Sequence, residues 1–206
     1  MSEYDPVFPE RRSGDDAAGD LAQTRQLFAR ASRPYLSSPV PWLAWAVLLP
    51  AAALATPRAS AAASYAGVLI LWSAAIVTGG AVESVYHFRA RRRLGGGTPL
   101  GSWAMTLQGN LSLVAVALSA VLLATGNGRF LPGLWLLLLG HSLFGLGGLA
   151  FRPQRTAGIL YQLGGVVALI PGVPELWTFA AATALGNLWV AAGLVRRGEE
   201  PRPVRT

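Results

Sequence analysis

The residues with the most potential for chemistry are polar side chains set within long apolar stretches. Glu83 and His87 are four positions apart, so on a helix they lie on one face and can pair as an acid and a base. A carboxyl and an imidazole at this spacing can pass a proton, hold a cation or hydrogen-bond to each other. Burial would favour the neutral carboxyl, whereas a protonated His87 or a nearby arginine would favour the charged one. The sequence therefore leaves the protonation state of Glu83 open.

Five further polar residues occupy the interior of other apolar stretches. They are Gln108, Asn110, His141, Gln162 and Asn187. At 1.5 Å per residue, these five and Glu83 lie roughly 9 to 16 Å from one end of their helices. Polar groups are costly in hydrocarbon unless they pair with one another or face a cavity. Together with Glu83 and His87 they form the predicted ligand-binding layer, and hydrogen bonding between helices is the alternative role.

The sequence completes no catalytic or metal-binding constellation. It contains no Cys, which excludes thiolate ligands, disulfides and thiol catalysis. Its only two His residues are His87 and His141, whose estimated depths differ by about 13 Å, too far apart to ligate one haem iron. The same offset separates His141 from His87 as metal ligands, and His141 also lies deeper than Glu83. We therefore expect no enzymatic activity, no cofactor and no bound metal.

The composition indicates that these polar groups are positioned by membrane-spanning helices. The chain is 52% hydrophobic and 13% charged, with a mean hydropathy of +0.42, whereas soluble domains carry about 25% charged residues. Its apolar stretches predict six transmembrane helices, at residues 40–57, 62–88, 103–125, 131–151, 156–171 and 175–195. Very short connections at 58–61, 126–130 and 172–174 pair these helices into three hairpins. The predicted fold is an all-α membrane protein.

The arginines predict how the helices are oriented in the membrane. The N-terminal segment carries five, the 89–102 connection four, the 152–155 connection two and the C-terminal tail four, which leaves only Arg58 and Arg129 on the other side. The positive-inside rule then places both termini in the cytoplasm. Topology explains the net charge of +7, so we expect no nucleic-acid binding. The use of Arg without Lys suggests a GC-rich bacterial genome and hence a multi-pass protein of the bacterial inner (cytoplasmic) membrane.

The segments outside the predicted bundle, which spans residues 40–197, are more polar. Residues 1–20 contain six acids and two Arg, and they are predicted to form a disordered cytoplasmic tail. Residues 21–39 alternate apolar and Arg-bearing positions with helical spacing, which predicts an amphipathic helix lying at the membrane interface. The alternative is that this helix docks on the cytoplasmic ends of the bundle. Residues 198–206 form a second cytoplasmic tail.

The C-terminal half resembles a known group of proteins. The stretch FLPGLWLLLLGHSLFGLGGLAFRPQR, from Phe130 to Arg155, is followed by GILYQLGGVVALIPG and Trp177. It is similar to poorly characterised bacterial six-helix membrane proteins that have an Arg-bearing N-terminal helix and a PGLW-like start to the fourth span. Members are often encoded beside winged-helix transcriptional regulators. The resemblance implies a six-helix fold and no catalytic residue; His141 replaces a Tyr or small residue, and Glu83 lies outside the matching part.

Two hypotheses about function follow from the sequence. The first is a noncatalytic inner-membrane partner, scaffold or sensor subunit, which would meet membrane or cytoplasmic proteins through its Arg-rich cytoplasmic surface and its N-terminal helix. The alternative is a small transporter, or a protein that binds a lipid, quinone or small cation in the polar layer. A protein that co-purifies with the chain would favour the first hypothesis. A retained small molecule would favour the second.

Overall fold

The computed structural model describes residues 19–20, 22–24, 38–93 and 99–199. Its elements are α1 (Val40–Arg93), α2 (Pro99–Ala124), a 3₁₀ turn (Gly128–Phe130), α3 (Leu131–Ala150), α4 (Arg152–Ala168) and α5 (Glu175–Glu199). These described elements are all helical, so the predicted all-α class is confirmed.

Five helical segments are long and apolar enough to cross a membrane. They are Val40–Ala61, Tyr65–Arg93, Thr106–Ala124, Gly128–Gly147 and Glu175–Arg197. Five such segments in one chain indicate a multi-pass membrane protein. The sixth predicted span, at 156–171, corresponds to α4, which has 17 residues and is therefore about 25 Å long. That length is below the typical 30 Å of the hydrocarbon core, and the first turn of α4 is polar.

Helix α1 is a hairpin rather than one long rod. A straight helix of its 54 residues would be about 81 Å long. However, Trp45 Nε1 donates a hydrogen bond to Glu83 Oε2 at 3.0 Å, and Trp72 Nε1 donates one to Thr56 Oγ1 at 3.0 Å. Both pairs are centred on residue 64, so the chain reverses direction there and its two halves run antiparallel. The reversal lies slightly after the predicted connection at 58–61.

Helices α3 and α4 pack closely against each other, a contact that the sequence did not predict. A single extended residue, Phe151, joins them, with φ −155° and ψ 102°. The predicted loop at 152–155 instead forms the first turn of α4, because Pro153 is favourable at the start of a helix, where its missing N–H costs nothing. These two helices belong to different predicted hairpins, yet they form an extensive antiparallel contact.

Glycines make that close contact between α3 and α4 sterically feasible. We call the set the glycine seam; its members are Gly133, Gly140 and Gly147 on α3, and Gly158 and Gly165 on α4. Residues seven positions apart share a helix face, so each helix presents its seam glycines along one line. A Cβ at Gly140 would lie 2.8 Å from the backbone oxygen of Gly158, and one at Gly158 would lie 2.5 Å from the backbone nitrogen of Phe144. The two backbones are therefore in direct contact, as in other membrane helix pairs with small residues.

Helix α5 completes the core. A cluster of buried side chains comprises Ala53, Leu136, Tyr161, Ala168, Phe179, Ala180 and Ala182. The Trp72 ring meets the Phe179 ring edge-on, with centroids 5.7 Å apart, which joins α1 to α5. Helix α5 also contacts α3 and α4. Among the described elements, α2 packs mainly against α3 and so lies at the edge of the bundle.

Most of the terminal predictions fall outside the described residues. Residues 19–20 and 22–24 are helical, and the Thr24 hydroxyl donates to the Asp20 carbonyl at 2.8 Å. The rest of the predicted amphipathic segment, apart from residues 38 and 39, lies outside the described part of the chain, as do residues 1–18 and the tail beyond residue 199.

Candidate functional site

Glu83 lies within α1 and contacts both halves of the hairpin. Its Oε2 accepts the hydrogen bond from the Trp45 indole, while its Oε1 is 3.9 Å from His87 Nε2. The Glu83 side chain is 41% exposed and that of His87 17%. Gly79, one turn before Glu83, leaves the space for the indole, because a Cβ there would lie 2.4 Å from the Trp45 ring. Glu83 and His87 are therefore neighbours, as their spacing predicts, and Trp45 is a further partner of Glu83 that the spacing does not reveal.

Gln108 joins α2 to α3. Its side-chain oxygen accepts a hydrogen bond from the Ser142 hydroxyl. Nearer the other end of the same helix pair, Trp135 Nε1 donates to the Ser119 hydroxyl at 3.0 Å. Ala115, between these contacts on α2, is only 1% exposed. Since Ala115 follows Gln108 by seven positions and precedes Ser119 by four, the three residues share the one face of α2 that packs against α3.

Asn187 is the most deeply buried of the predicted site residues, at 4% exposure. Its Nδ2 donates to the carbonyl of Thr183 on the same helix at 2.9 Å, and its side chain lies near the Tyr161 hydroxyl of α4. Gly186 lets α4 and α5 approach closely here, because a Cβ at that position would lie 2.4 Å from the Tyr161 ring. Asn187 therefore lies at the close contact between α4 and α5.

Gln162 contributes to helix packing beside the glycine seam. It is half-buried, and its backbone nitrogen and Cγ lie against Gly140, at 2.8 and 2.9 Å from the position of an added Cβ. This contact places Gln162 at the interface between α3 and α4.

Two predicted site residues are on the outer surface of the bundle. Asn110 is exposed, two positions away from Gln108 and therefore far from the α2 face that meets α3. His141 is also exposed. The prediction that His141 points inward is wrong, because Gly145, which shares its face, has no atom within 4 Å of an added Cβ. The glycine seam instead occupies a different face of α3.

The structure thus separates the predicted polar layer into contacts between individual helix pairs. Glu83 and His87 serve the α1 hairpin, Gln108 the α2–α3 pair, and Asn187 the α4–α5 pair. Gln162 packs between α3 and α4, while the two exposed residues belong to none of these contacts. Within each helix pair, the contact lowers the cost of placing a polar group in hydrocarbon, because that group has a partner inside the protein.

Indole donors are the functional groups that the sequence analysis missed. Trp45, Trp72 and Trp135 each donate a hydrogen bond across a helix pair at 3.0 Å. A buried indole N–H usually requires an acceptor, so each internal Trp was a signal for a polar partner on a neighbouring helix.

A basic cleft opens where α4 begins and α5 ends. It has a volume of about 440 Å³ and is lined by Phe151, Arg152, Pro153, Trp189, Ala192, Gly193, Arg196 and Arg197. Gly193 allows the two helices to meet at its floor, since a Cβ there would lie 2.6 Å from the Pro153 ring. The Arg197 guanidinium lies 5.8 Å from the centre of the Phe151 ring. From the sequence alone, these arginines indicate only the topology of the chain.

Comparison with protein-family models, with curated proteins and with solved structures finds no match to this chain.

Proposed function

We propose that this chain is a noncatalytic partner, scaffold or sensor subunit of a complex in the bacterial inner membrane. In this proposal it has six spans, with α4 as a short sixth member, and both termini in the cytoplasm. A membrane partner packs against the outer surface around His141. Cytoplasmic proteins reach the Arg-rich ends of the helices and the amphipathic N-terminal segment.

The observation that carries the proposal is the exposure of His141. It lies ten residues after the start of α3, which is about 15 Å along the helix and close to the middle of the hydrocarbon core. An imidazole facing lipid at that depth is costly unless another polar group covers it. Gly145, on the same face and without close neighbours, leaves room for a second helix to approach. A partner helix with a hydrogen-bonding side chain would satisfy both features.

The contacts inside the bundle also favour a structural role over a transport role. The alternative hypothesis, a small transporter or a lipid-, quinone- or cation-binding protein, needs polar groups that converge on a shared cavity. The described polar groups pair within separate helix pairs instead. Asn110, the other exposed residue of the predicted polar layer, offers a second contact for a partner on α2, whose outer face is exposed beyond residue 105.

Site-specific photocrosslinking in native membranes tests the proposal. A photoreactive amino acid at Leu138, one turn from His141, should give a crosslink to one specific protein. The same probe at Val77, an apolar α1 position that is 69% exposed, provides the matched control and should give only lipid adducts. His141→Leu should weaken the crosslink from position 138, because the hydrogen bond to the partner is lost.

Three results would contradict a subunit role. The first is that position 138 yields only lipid adducts, as Val77 should. The second is the same protein captured with equal yield at both positions, which would indicate nonspecific proximity. The third is a crosslink only to a second copy of this chain, which would make His141 part of a homo-oligomeric contact.

A further inference from the structure

We propose that the basic cleft binds the phosphate-bearing headgroup of an anionic phospholipid. This site is separate from the polar contacts inside the bundle and from the surface around His141. The inference requires only that the bundle is embedded in a membrane, so it does not depend on the proposed subunit role or on which leaflet the cleft faces.

Charge is the first argument for this ligand. Arg152 begins α4, while Arg196 and Arg197 occupy the last turns of α5, so two helices supply three guanidinium groups to one cleft. All three side chains are exposed. Guanidinium groups match phosphate oxygens in a two-bond geometry, and basic pockets between membrane helices attract anionic headgroups.

The shape of the cleft distinguishes a lipid from a free anion. Trp189 precedes Arg196 by seven residues, so it lies about 10 Å deeper along α5. Trp189 is 49% exposed, and the exposed Ala192 lies between it and the arginines. The cleft is therefore basic at its outer end and aromatic and apolar further in. A phospholipid has the same order, with the phosphate at the interface and the glycerol and first methylene groups below it.

The cleft also has an adequate size. Its volume of about 440 Å³ falls within the range of roughly 300 to 1,000 Å³ that is typical of small-molecule sites. Inorganic phosphate would occupy only the outer end, and would leave the Trp189 ring without a partner. The whole lining is used only by a ligand that has both an anionic head and an apolar body.

Two variants test the proposal by different means. Arg196→Gln combined with Arg197→Gln removes the charge, whereas Ala192→Phe fills the cleft and keeps the charge. Each has a matched control. Arg92→Gln with Arg93→Gln also removes two arginines at the end of a helix, one of them over a Phe ring as Arg197 is. Val195→Phe enlarges an exposed residue of α5 that does not line the cleft.

Native mass spectrometry of the full chain measures the binding. The protein is reconstituted in nanodiscs containing equal amounts of phosphatidylglycerol and phosphatidylcholine, and the retained lipid is identified. We expect the wild-type chain to retain phosphatidylglycerol preferentially. The double arginine variant should weaken this preference about 30-fold, and Ala192→Phe should abolish it. Both control variants should retain the lipid as the wild type does.

The proposal is overturned if the wild-type chain shows no preference for phosphatidylglycerol. It is also overturned if the Arg92 and Arg93 control loses the lipid as strongly, because the effect would then reflect surface charge in general. The last experiment adds inorganic phosphate to the chain in nanodiscs of pure phosphatidylcholine and measures its binding. If it binds through Arg196 and Arg197 and phosphatidylglycerol does not compete with it, the cleft is a free-anion site. Circular dichroism checks folding, and Ala192→Phe decides the matter if the double variant fails to fold.

Discussion

The glycine seam between α3 and α4 allows a quantitative test of how the bundle is held together. Gly140→Ala adds a single methyl group where the structure has no space. The new Cβ would lie 2.8 Å from both the backbone nitrogen of Gln162 and the backbone oxygen of Gly158. These are backbone atoms of a packed helix, so the strain cannot be relieved by rotating a side chain. The two helices must separate by several tenths of an ångström along the seam.

The matched control lies on the same helix. Gly145→Ala makes the same chemical change on the exposed face of α3, where an added Cβ meets nothing within 4 Å. Alanine exceeds glycine in helix propensity by up to about 1 kcal/mol, and this gain applies to both variants. Overpacking typically costs about 1 to 3 kcal/mol and applies only to Gly140→Ala. The difference between the variants isolates the steric cost, so their free energies of unfolding should differ by about 1 to 3 kcal/mol.

Reversible unfolding with sodium dodecyl sulfate in mixed micelles, followed by circular dichroism, measures these free energies. Gly145→Ala should be as stable as the wild type or slightly more stable, and Gly140→Ala clearly less stable than Gly145→Ala. Equal stability of the two variants would refute direct backbone contact along the seam. Lower stability of Gly145→Ala would mean that its face is packed against something, which would contradict its exposure.

Three further predictions concern the topology and the polar contacts. Reporter fusions at positions 58 and 95 should lie on opposite sides of the membrane, because the second half of α1 separates them; the same side at both would contradict the hairpin. Glu83→Gln should change the free energy of unfolding by less than about 1 kcal/mol, since the amide oxygen still accepts the Trp45 hydrogen bond, whereas Glu83→Leu should lower it by about 1 to 3 kcal/mol. Equal effects of these two changes would show that the hydrogen bond is unimportant. In a double-mutant cycle, Ser119→Ala and Trp135→Phe should show a coupling of about 0.6 kcal/mol in the free energy of unfolding. Zero coupling would refute the hydrogen bond between these two side chains.

The contact between Glu83 and His87 could be predicted because it is local. Both residues belong to one helix, and a spacing of four positions brings them together whatever the rest of the chain does. Trp45 also contacts Glu83, but from 38 positions away. That contact exists only because the chain reverses near residue 64, so helical periodicity alone does not specify it.

The orientation of α3 illustrates what periodicity leaves undetermined. The sequence shows two faces with small residues, one containing Gly140 and Gly147 and the other containing Gly145 beside His141. The helical repeat of 3.6 residues per turn defines both faces equally well. The structure buries the first face, because α4 carries Gly158 and Gly165 at the matching spacing and the two backbones can meet. His141 is exposed as a consequence.

The bounds of α4 are a second feature that the sequence pattern does not determine. Hydropathy predicts a sixth span at 156–171, but the helix begins earlier, at Arg152, and ends at Ala168. Its polar first turn is accommodated where α5 ends, because Gly193 admits the Pro153 ring. The basic cleft results from this junction, and arginines separated by more than 40 positions in the sequence line it together.

Composition and hydropathy are enough to predict the class of this protein, because the class depends on the surrounding solvent. Long apolar stretches with few charges cannot satisfy their backbone polar groups in lipid except as helices, so composition and length suffice to predict an all-α membrane chain. The helix partners and the buried faces were decided only by the tertiary structure. Lipid is as apolar as a leucine side chain, so hydrophobicity does not distinguish a lipid-facing surface from a packed one. That choice depends on which glycines let two backbones touch and on which indole finds an acceptor across the interface.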